Sequence, residues 1–402
     1  MKKLVILIIL PFLLNCIQSI GQETTKKKEE KVQPNFLKFF AELDRKALAE
    51  KFKGIQTSDG EIANLFPIRS TGVSTAPITD AAKKFLNSLN QEQLARTTFD
   101  IDDPEWRKWS NVDNGIFKRQ GISLKEMSTD QKESAFSLMQ ESLSAKGLQL
   151  SKDIMKTDHT LAELNNRPDI FSEELYFFTV MGTPSTSEPW GWQLDGHHLV
   201  INYFVMGDQI VMSPVFMGGE PILTTTGKYA GNTLFQDEQN MGLSFMQSLT
   251  SEQQQKATLE KEKKHNDNKA EAFKDNIVLE YEGLSVARLS EEKKQALLKL
   301  ISQYVGNMKE GHRKIRMDDI KDHLNDTWFA WNGTITDDAV FYYRIHSPVV
   351  LIEFDHQGVV GVPNVEHRGP TRNHIHTVVR TPNGNDYGKD LLKQHLEKAH
   401  QN

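Results

Sequence analysis

The chain has 402 residues, of which 38% are hydrophobic and 25% charged, and its formal net charge is −6. That length is ample for a hydrophobic core and, from ordinary domain sizes, indicates two units rather than one. The acidic balance argues against a general nucleic-acid or anionic-membrane surface, so no nucleic-acid partner is expected.

Residues 1–21 are typical of a signal peptide. Lys2 and Lys3 precede an apolar run, 4–14, that is too short to span a bilayer stably. Small residues before Gln22 predict cleavage at that point, and the alternative is a lipid anchor at Cys16. Either route predicts an exported protein, periplasmic, secreted or membrane-anchored as a lipoprotein. The later sequence contains no stretch that predicts a transmembrane helix.

Cys16 is the only cysteine of the chain. Cleavage after Gly21 removes it, so the mature protein would have no disulfide, no thiolate ligand and no cysteine nucleophile. A metal ion would then be held by His, Asp or Glu side chains.

The segment 22–33 is charged and of low complexity, and it is predicted to be a disordered tether. Helical spacing of apolar residues follows over 36–49, and the two prolines and the glycine of 66–79 indicate a loop or irregular strand. Folded sequence is therefore expected from residue 34.

Three segments recur in the same order further along the chain, at offsets of 151 to 162 residues. The matched pairs are 85–93 with 245–253, 121–128 with 283–290, and 178–201 with 329–352. Collinear matches at nearly one offset predict an internal duplication. The two halves are expected to be 34–240 and 241–402.

Each half is predicted to have helices first and strands second. Ser128 and Thr250 stand three residues before a glutamine, which is the spacing of a capping box, and 128–143 and 290–305 have the apolar spacing of amphipathic helices. Strands are expected at 175–180, 190–194, 199–205, 209–216, 328–331, 340–345, 349–354 and 374–380. Short polar or glycine-containing turns favour antiparallel meanders, so the predicted class is α+β. The charged stretch 261–274 is interpreted as an exposed helix or linker between the halves.

The segment Arg372–Arg380 carries the best chemical signal, a His-x-His pair. Residues i and i+2 of a strand share one face roughly 6.5 Å apart, so His374 and His376 can converge on one metal ion or substrate. Seven of the thirteen histidines fall between residues 346 and 400. The alternative is that these imidazoles only form hydrogen bonds across a half-buried sheet.

Charged residues in strand patterns complete the candidate site. Glu353 lies in an apolar strand and needs a partner, which could be the metal, a histidine, or Arg344 in a structural ion pair. Arg344 and Arg380 could clamp an anionic group, or simply neutralise Glu353 and Asp386. Asp386 is a candidate catalytic residue, or the N-cap of a helix over 387–395.

The first half offers a second group of candidates around residues 190–203. His197 and His198 are candidate additional metal ligands, although strand alternation would allow only one of them to face the site. Asp195-Gly196 is interpreted as a hairpin turn. Trp190, Trp192 and Tyr343 are either core residues or a platform that stacks on a sugar or aromatic substrate.

The sequence contains no glycine-rich phosphate loop, G-x-S-x-G elbow, H-E-x-x-H helix or EF-hand loop. Gly218–Pro221 is interpreted as a turn that ends a strand.

The chain resembles the family called domain of unknown function 3500. The matching pieces are Trp192–Leu199, Pro214–Pro221, Tyr342–Ile345 with Leu351–Phe354, Asn373–His376, Arg380, and Asn385–Gly388. The resemblance covers roughly residues 81–395, and it implies no mechanism.

The favoured hypothesis is an exported metal-dependent enzyme of the hydrolase class that acts on a small polar or anionic substrate. Zinc is the first expectation for the ion, with iron, manganese or copper as alternatives. A different class is a periplasmic or surface protein that binds a small molecule, such as a saccharide, without turnover. A third is a structural lipoprotein with histidines only in its core.

Overall fold

A computed structural model describes residues 29–399 except 61 and 63. The predicted signal peptide, its cleavage site and Cys16 lie outside the described residues, and so do residues 22–28 of the predicted tether. Residues 29–33 of that tether belong to the first helix, since glutamate and lysine are good helix formers despite their charge. Among the described residues, no helix combines the length and apolar character needed to cross a membrane.

Within the described residues, the first half contains five α-helices and six strands, numbered in chain order. They are α1 Glu29–Ala49, α2 Ala76–Ser88, α3 Gln91–Thr97, β1 Thr98–Phe99, β2 Ile122–Ser123, α4 Thr129–Ser142, α5 Ala145–Asn165, β3 Tyr176–Gly182, β4 Trp190–Gly196, β5 Leu199–Met206 and β6 Gln209–Gly219.

The second half repeats the order found from α2 onward and ends with one further helix. Its elements are α6 Gln236–Ser248, α7 Ser251–Ala257, β7 Thr258–Glu260, β8 Leu284–Ser285, α8 Glu291–Val305, α9 Glu310–Asp322, β9 Trp328–Gly333, β10 Phe341–His346, β11 Leu351–Gly358, β12 Pro370–Arg380 and α10 Lys389–Ala399.

All the strands belong to one sheet, so the predicted mixed class with a mainly antiparallel sheet is confirmed. Its order is β1-β3-β4-β5-β6-β12-β11-β10-β9-β7, with β2 beside β3 and β8 beside β9. Among the named strands of the described part of the chain, only the short edge pairs β1–β3 and β7–β9 are parallel. The two halves meet where β6 pairs with β12, and the sheet is continuous across that junction.

The strand order reads alike from either edge of the sheet toward the β6–β12 pair. This correspondence of elements is what a duplicated chain would produce, but the duplication itself stays a prediction. The division expected after residue 240 falls inside α6. The chain instead passes between the halves through the irregular segment 220–235, which precedes that helix.

The local signals at helix starts are confirmed. Ser128 and Thr250 form complete capping boxes, in which each side chain accepts the N–H three residues on and the glutamine there reaches back. In 66–79 the loop prediction fails at its end, since α2 begins at Ala76 with a proline in its first turn.

The two faces of the sheet are covered differently. One face packs on the helices of both halves and carries a large core that includes Trp192, Tyr203 and Ile375. The other face carries a smaller core with Phe216 and Val378, covered by irregular segments and by α10. His374 and His376 alternate with Ile375 along β12, so they point to this second face.

The prediction for 261–274 is wrong. This stretch is an irregular segment, here called the covering loop (residues 261–275), that lies across the second face of the sheet. Buried carboxylates of β11 hold it, because Glu353 accepts the backbone N–H groups of Lys269 and Ala270, and Asp355 accepts that of Asp267. The charge of this stretch led to the prediction that it is exposed to solvent. Its backbone N–H groups instead donate hydrogen bonds to the buried carboxylates.

Candidate metal centre

His374 and His376 lie on one face of β12, as their spacing predicts. Their neighbour on β6 is a glycine, since His376 pairs in register with Gly218. A side chain there would crowd the strand, because an added Cβ would lie 3.0 Å from Cδ2 of His376 and 2.8 Å from the carbonyl oxygen of Ile375. The glycine therefore makes room for the imidazole.

His198 reaches the same place from the turn between β4 and β5. The two-residue turn is His197-His198, so the prediction of a turn at Asp195-Gly196 is wrong; both of those residues are still in β4. His198 adopts a left-handed backbone with φ of 59°, and its carbonyl oxygen accepts the N–H of Gly218 at 2.8 Å. That bond ties the turn to β6, next to His376.

The turn also explains why both histidines face inward. Side chains alternate between the two faces only within a strand. The expectation that at most one of the two histidines faces the site assumed that both lie in a strand. The rings of His197 and His198 stack with centroids 3.9 Å apart, and both residues are buried.

The Nε2 atoms of three imidazoles converge at one point. Nε2 of His374 is 3.0 Å from Nε2 of His376 and 3.3 Å from Nε2 of His198. Tetrahedral ligands with zinc–nitrogen bonds of about 2.0–2.1 Å lie about 3.3 Å from one another. The three residues are 3–7% exposed, and together they form a group that could hold a metal ion.

Hydrogen bonds at the other ring nitrogens set two of the tautomers. Nδ1 of His374 is 2.7 Å from the carbonyl oxygen of Gly358, and Nδ1 of His376 is 2.8 Å from Oε1 of Glu271. Both acceptors require an N–H at Nδ1, so each Nε2 presents a lone pair. Burial lowers the pKa of His374 to about 4, which keeps it neutral near pH 7.

The short distances between the Nε2 atoms indicate whether a cation fits among the three imidazoles. Two bare Nε2 atoms at 3.0 Å repel each other unless a cation lies between them. Burial and the neighbouring imidazoles also hold the pKa of His198 well below its ordinary value, which opposes relief by protonation of that ring. Neutral imidazoles with fixed Nδ1–H donors are the form in which histidine binds metals, so the donor set fits a divalent ion.

Glu271 is the carboxylate that meets the histidine pair. It comes from the covering loop and its side chain is 29% exposed, so it connects the buried imidazoles with solvent. Burial opposes its ionisation, but the hydrogen bond and charge of His376, with help from Asn268, lower its pKa overall. Glu271 is therefore an ionised acceptor that orients His376.

His197 belongs to a second buried group beside the three imidazoles. Its Nδ1 lies 2.6 Å from Oδ1 of Asp158, whose other oxygen accepts the hydroxyl of Tyr176 at 2.9 Å. Burial alone would lower the pKa of His197, but Asp158 raises it overall. Asp158, His197 and His198 also lie close enough together to form a metal group, although the hydrogen bond already engages two of these side chains.

The segment Gly218–Pro221 is more than the turn that the sequence suggested. Gly218 and Gly219 are the last residues of β6, and Glu220 beyond them is buried. Its carboxylate accepts the backbone N–H groups of Val360, Gly361 and Val362 and lies 3.5 Å from Nδ1 of His374. Glu220 thus holds the segment after β11 beside the site.

Glu353 and Arg344 lie apart from the three imidazoles. Glu353 pairs in register with Val378, and its oxygens accept two N–H groups of the covering loop and the hydroxyl of Tyr342. Arg344 donates to Glu282 at 2.5 Å. The residue opposite His376 on β11 is Asp355, which pairs with Lys263 at 2.9 Å.

Arg380 and Asp386 form a buried ion pair, the structural alternative considered for them. Nε of Arg380 lies 2.7 Å from Asp386, and Nη2 lies 2.7 Å from Asp275. The prediction of Asp386 as an N-cap is wrong, because α10 begins only at Lys389 and Asp386 instead accepts the N–H of Thr381 at 2.7 Å. The guanidinium is the stronger partner for this buried carboxylate.

Trp190, Trp192 and Tyr343 are core residues and not an open platform. All three are fully buried on the helix-covered face, opposite the histidines. Trp192 stacks on Tyr203 at 5.4 Å, and Tyr343 stacks on Phe354 at 5.0 Å. No face of these rings is left for a sugar.

Sequence reasoning missed Glu271 and Glu220. Glu271 stands in a charged run, where the only signals of burial are the small apolar residues Ala270 and Ala272 on either side of it. Glu220 lies in a segment that matched the family pattern but was interpreted as a turn.

The model of the family described as "Protein of unknown function (DUF3500)" matches residues 71–389. The match covers most of the chain, including all three imidazoles and both halves of the sheet, and the chain therefore belongs to this family. Comparisons with curated proteins and with solved structures return no match.

Proposed function

Starting from its place in this family, we propose that the protein binds one divalent metal ion through His198, His374 and His376 and acts as a metal-dependent enzyme of hydrolytic type. The observation that carries the proposal is the convergence of three Nε2 atoms at 3.0 and 3.3 Å. Two of these rings have their Nδ1–H donors fixed by Gly358 and Glu271. Three protein ligands are the number found in catalytic zinc sites, which keep a fourth position open.

When bound, such an ion supplies Lewis acidity and lowers the pKa of a coordinated water. Zinc is the first expectation, and iron, manganese or copper remain alternatives because nitrogen and oxygen ligands alone discriminate poorly among these ions. Glu271 orients His376 and, being partly exposed, provides a route for a proton between the centre and solvent. His197 packs against His198 and limits the positions of that ring.

We assign framework roles to the four charged residues that the sequence suggested for catalysis. Glu353 holds the covering loop, and that loop carries Glu271. Arg380 joins Asp275 at the end of the covering loop to Asp386. Arg344 pairs with Glu282 at a distance from the imidazoles. Of the four, Glu353, Arg380 and Asp386 shape the site through the loop.

Burial of the imidazoles favours a second candidate, a structural metal that ties the β4–β5 turn to β12. At 3–7% exposure the three residues offer little access to a large substrate. A catalytic centre of this kind would take a small polar substrate. The other proposals are export of the protein, as its first 21 residues predict, and descent of its two halves from a duplicated ancestor, which the matching element order supports.

The first test is metal analysis of the purified mature protein after loading with zinc and removal of free ion. We expect one ion per chain in the wild type and in a His395→Ala control, which removes a partly exposed histidine of α10. His374→Ala should retain almost none, with circular dichroism confirming its fold. A wild-type protein that holds no stoichiometric ion would refute the metal site.

The second test separates catalysis from structure. The loaded and the chelator-treated protein are assayed with chromogenic ester, phosphate-ester and amide substrates. Turnover that requires the ion and is lost in His374→Ala supports the enzyme. Stoichiometric metal that raises the thermal midpoint without turnover of any of these substrates supports the structural candidate.

A further inference from the structure

A cavity of about 180 Å³ lies away from the imidazoles, where the start of β6, α9 and the start of α10 meet. Its floor includes Met212 of β6 and Thr381 just beyond β12, and one face of α9 forms a wall. Thr381 is five residues from His376 along the chain, roughly 17 Å in an extended strand. The cavity is therefore separate from the candidate metal centre in position.

Arg316 supplies a positive charge to the cavity. Its Nη2 donates to the carbonyl oxygen of Val349 at 2.7 Å and to the hydroxyl of Thr381 at 3.2 Å, both neutral acceptors. Among the described residues, no carboxylate lies within ion-pair distance of it. Asp319, one turn along, is instead engaged by Arg69 at 2.5 Å. A guanidinium in such surroundings retains donors for an anion.

His312 adds an unpartnered polar group one helical turn before Arg316. The residue is only 5% exposed and lines the cavity. Neither ring nitrogen is hydrogen-bonded to a described residue, and neither is sealed from solvent, so the ring can reach a ligand in the cavity. Burial lowers its pKa to about 4, so the ring is neutral and can donate or accept a hydrogen bond.

The remaining lining is mixed. Phe66, Ile210, Val349 and Leu391 form its apolar part, and Gln209, Asp322 and Asn385 contribute polar groups. A cavity of about 150 Å³ with apolar walls holds a benzene molecule, so this one has room for a body of similar size beside the guanidinium. The Arg69–Asp319 pair stands at the mouth, with side chains 49% and 37% exposed.

We propose that this cavity binds a small monocarboxylate with an apolar body, its carboxylate on Arg316 and its polar edge near His312. An apolar part of the lining beside one cation outside any ion pair matches this ligand better than an organic cation, which Arg316 repels. The site lies near the β6–β12 junction and is contributed by both halves of the chain.

Benzoate is the probe, with benzyl alcohol and benzylamine as neutral and cationic analogues of nearly the same shape. Isothermal titration calorimetry on the full mature protein should show binding in the order benzoate, benzyl alcohol, benzylamine. Arg316→Met, which keeps most of the side-chain volume, should weaken benzoate binding about tenfold or more, as loss of a charge-assisted hydrogen bond predicts. It should leave benzyl alcohol nearly unchanged.

The matched control is Arg313→Met, because Arg313 stands on the same helix and pairs with Glu310 at the surface. It should bind benzoate like the wild type. Ile210→Trp fills the cavity while leaving Arg316 in place, and it should abolish benzoate binding even if the Arg316 variant does not fold. Binding that survives in Ile210→Trp, no preference for benzoate over benzylamine, or no binding at millimolar benzoate would each overturn the proposal.

Discussion

Replacement of Glu271 by glutamine tests how the covering loop supports the metal centre. The wild-type carboxylate accepts the Nδ1–H of His376 at 2.8 Å, and this bond both orients the ring and makes Nε2 a stronger donor to a cation. In Glu271→Gln the amide oxygen could still accept the proton, but the bond would lose its charge assistance.

The magnitude follows from that difference. Hydrogen bonds to charged groups contribute about 1.5–3 kcal/mol against about 1 kcal/mol for neutral ones, so the change removes roughly 1 kcal/mol and the partial exposure of Glu271 reduces it further. Zinc affinity should therefore fall by at most about fivefold in Glu271→Gln. Glu271→Ala removes the acceptor altogether and should reach the upper end of the roughly 10–100-fold range seen for such supporting partners.

Zinc affinity is measured by competition with a chromogenic chelator at pH 7. Glu282→Gln is the control, since Glu282 is also a partly exposed loop acid in an ion pair, with Arg344, but lies apart from the imidazoles. It should bind zinc like the wild type. If Glu271→Ala binds zinc as tightly as the wild type, the carboxylate does not support His376. If Glu271→Gln loses as much affinity as His374→Ala, Glu271 is a direct ligand and the proposed geometry is wrong.

Three further changes test the fold around the site. Glu353→Gln replaces a carboxylate that accepts two backbone N–H groups and one hydroxyl. We expect the free energy of unfolding to fall by about 1–3 kcal/mol and limited proteolysis of the covering loop to become faster. An unchanged cleavage rate would contradict the anchoring role of Glu353. Burial lowers the pKa of His346 to about 3, so between pH 6.5 and 3 the unfolded chain binds one more proton than the folded chain and stability falls as the pH falls. His346→Gln should therefore flatten the plot of unfolding free energy, measured with urea, against pH in this range. An equal slope in the two proteins would count against the lowered pKa. Trp192→Ala should lower the free energy of unfolding, measured with urea, by about 3–5 kcal/mol. Zinc affinity of the folded protein should be unchanged, because the ring packs on the face opposite the imidazoles. A much smaller loss of stability would mean that the Trp192 ring is not part of the core.

Local signals in the sequence were enough for most of the secondary structure. Each predicted strand was found, usually a few residues longer, and the capping boxes at Ser128 and Thr250 marked helix starts correctly. These features depend on residues only a few positions apart. The pairing of His374 with His376 is of the same kind, since two residues of one strand share a face whatever surrounds them.

Contacts between distant segments decided the composition of the site. His198 joins the histidine pair because β6 lies between the β4–β5 turn and β12, an order that no local pattern encodes. Glu271 replaced Glu353 as the acid at the site for a related reason: the backbone of the covering loop occupies Glu353, and the same loop then delivers Glu271 to His376.

The sequence by itself thus determined which segments are helices and strands and which two imidazoles share one face of a strand. Only the tertiary structure decided which third imidazole and which carboxylate complete the group, and that Trp190, Trp192 and Tyr343 face the helices. The physical reason is the separation along the chain over which each kind of interaction acts. Hydrogen bonding and side-chain alternation act along a few neighbouring residues, whereas a buried charge takes whichever donors the folded chain brings to it, and those come from residues about 80 to 180 positions away.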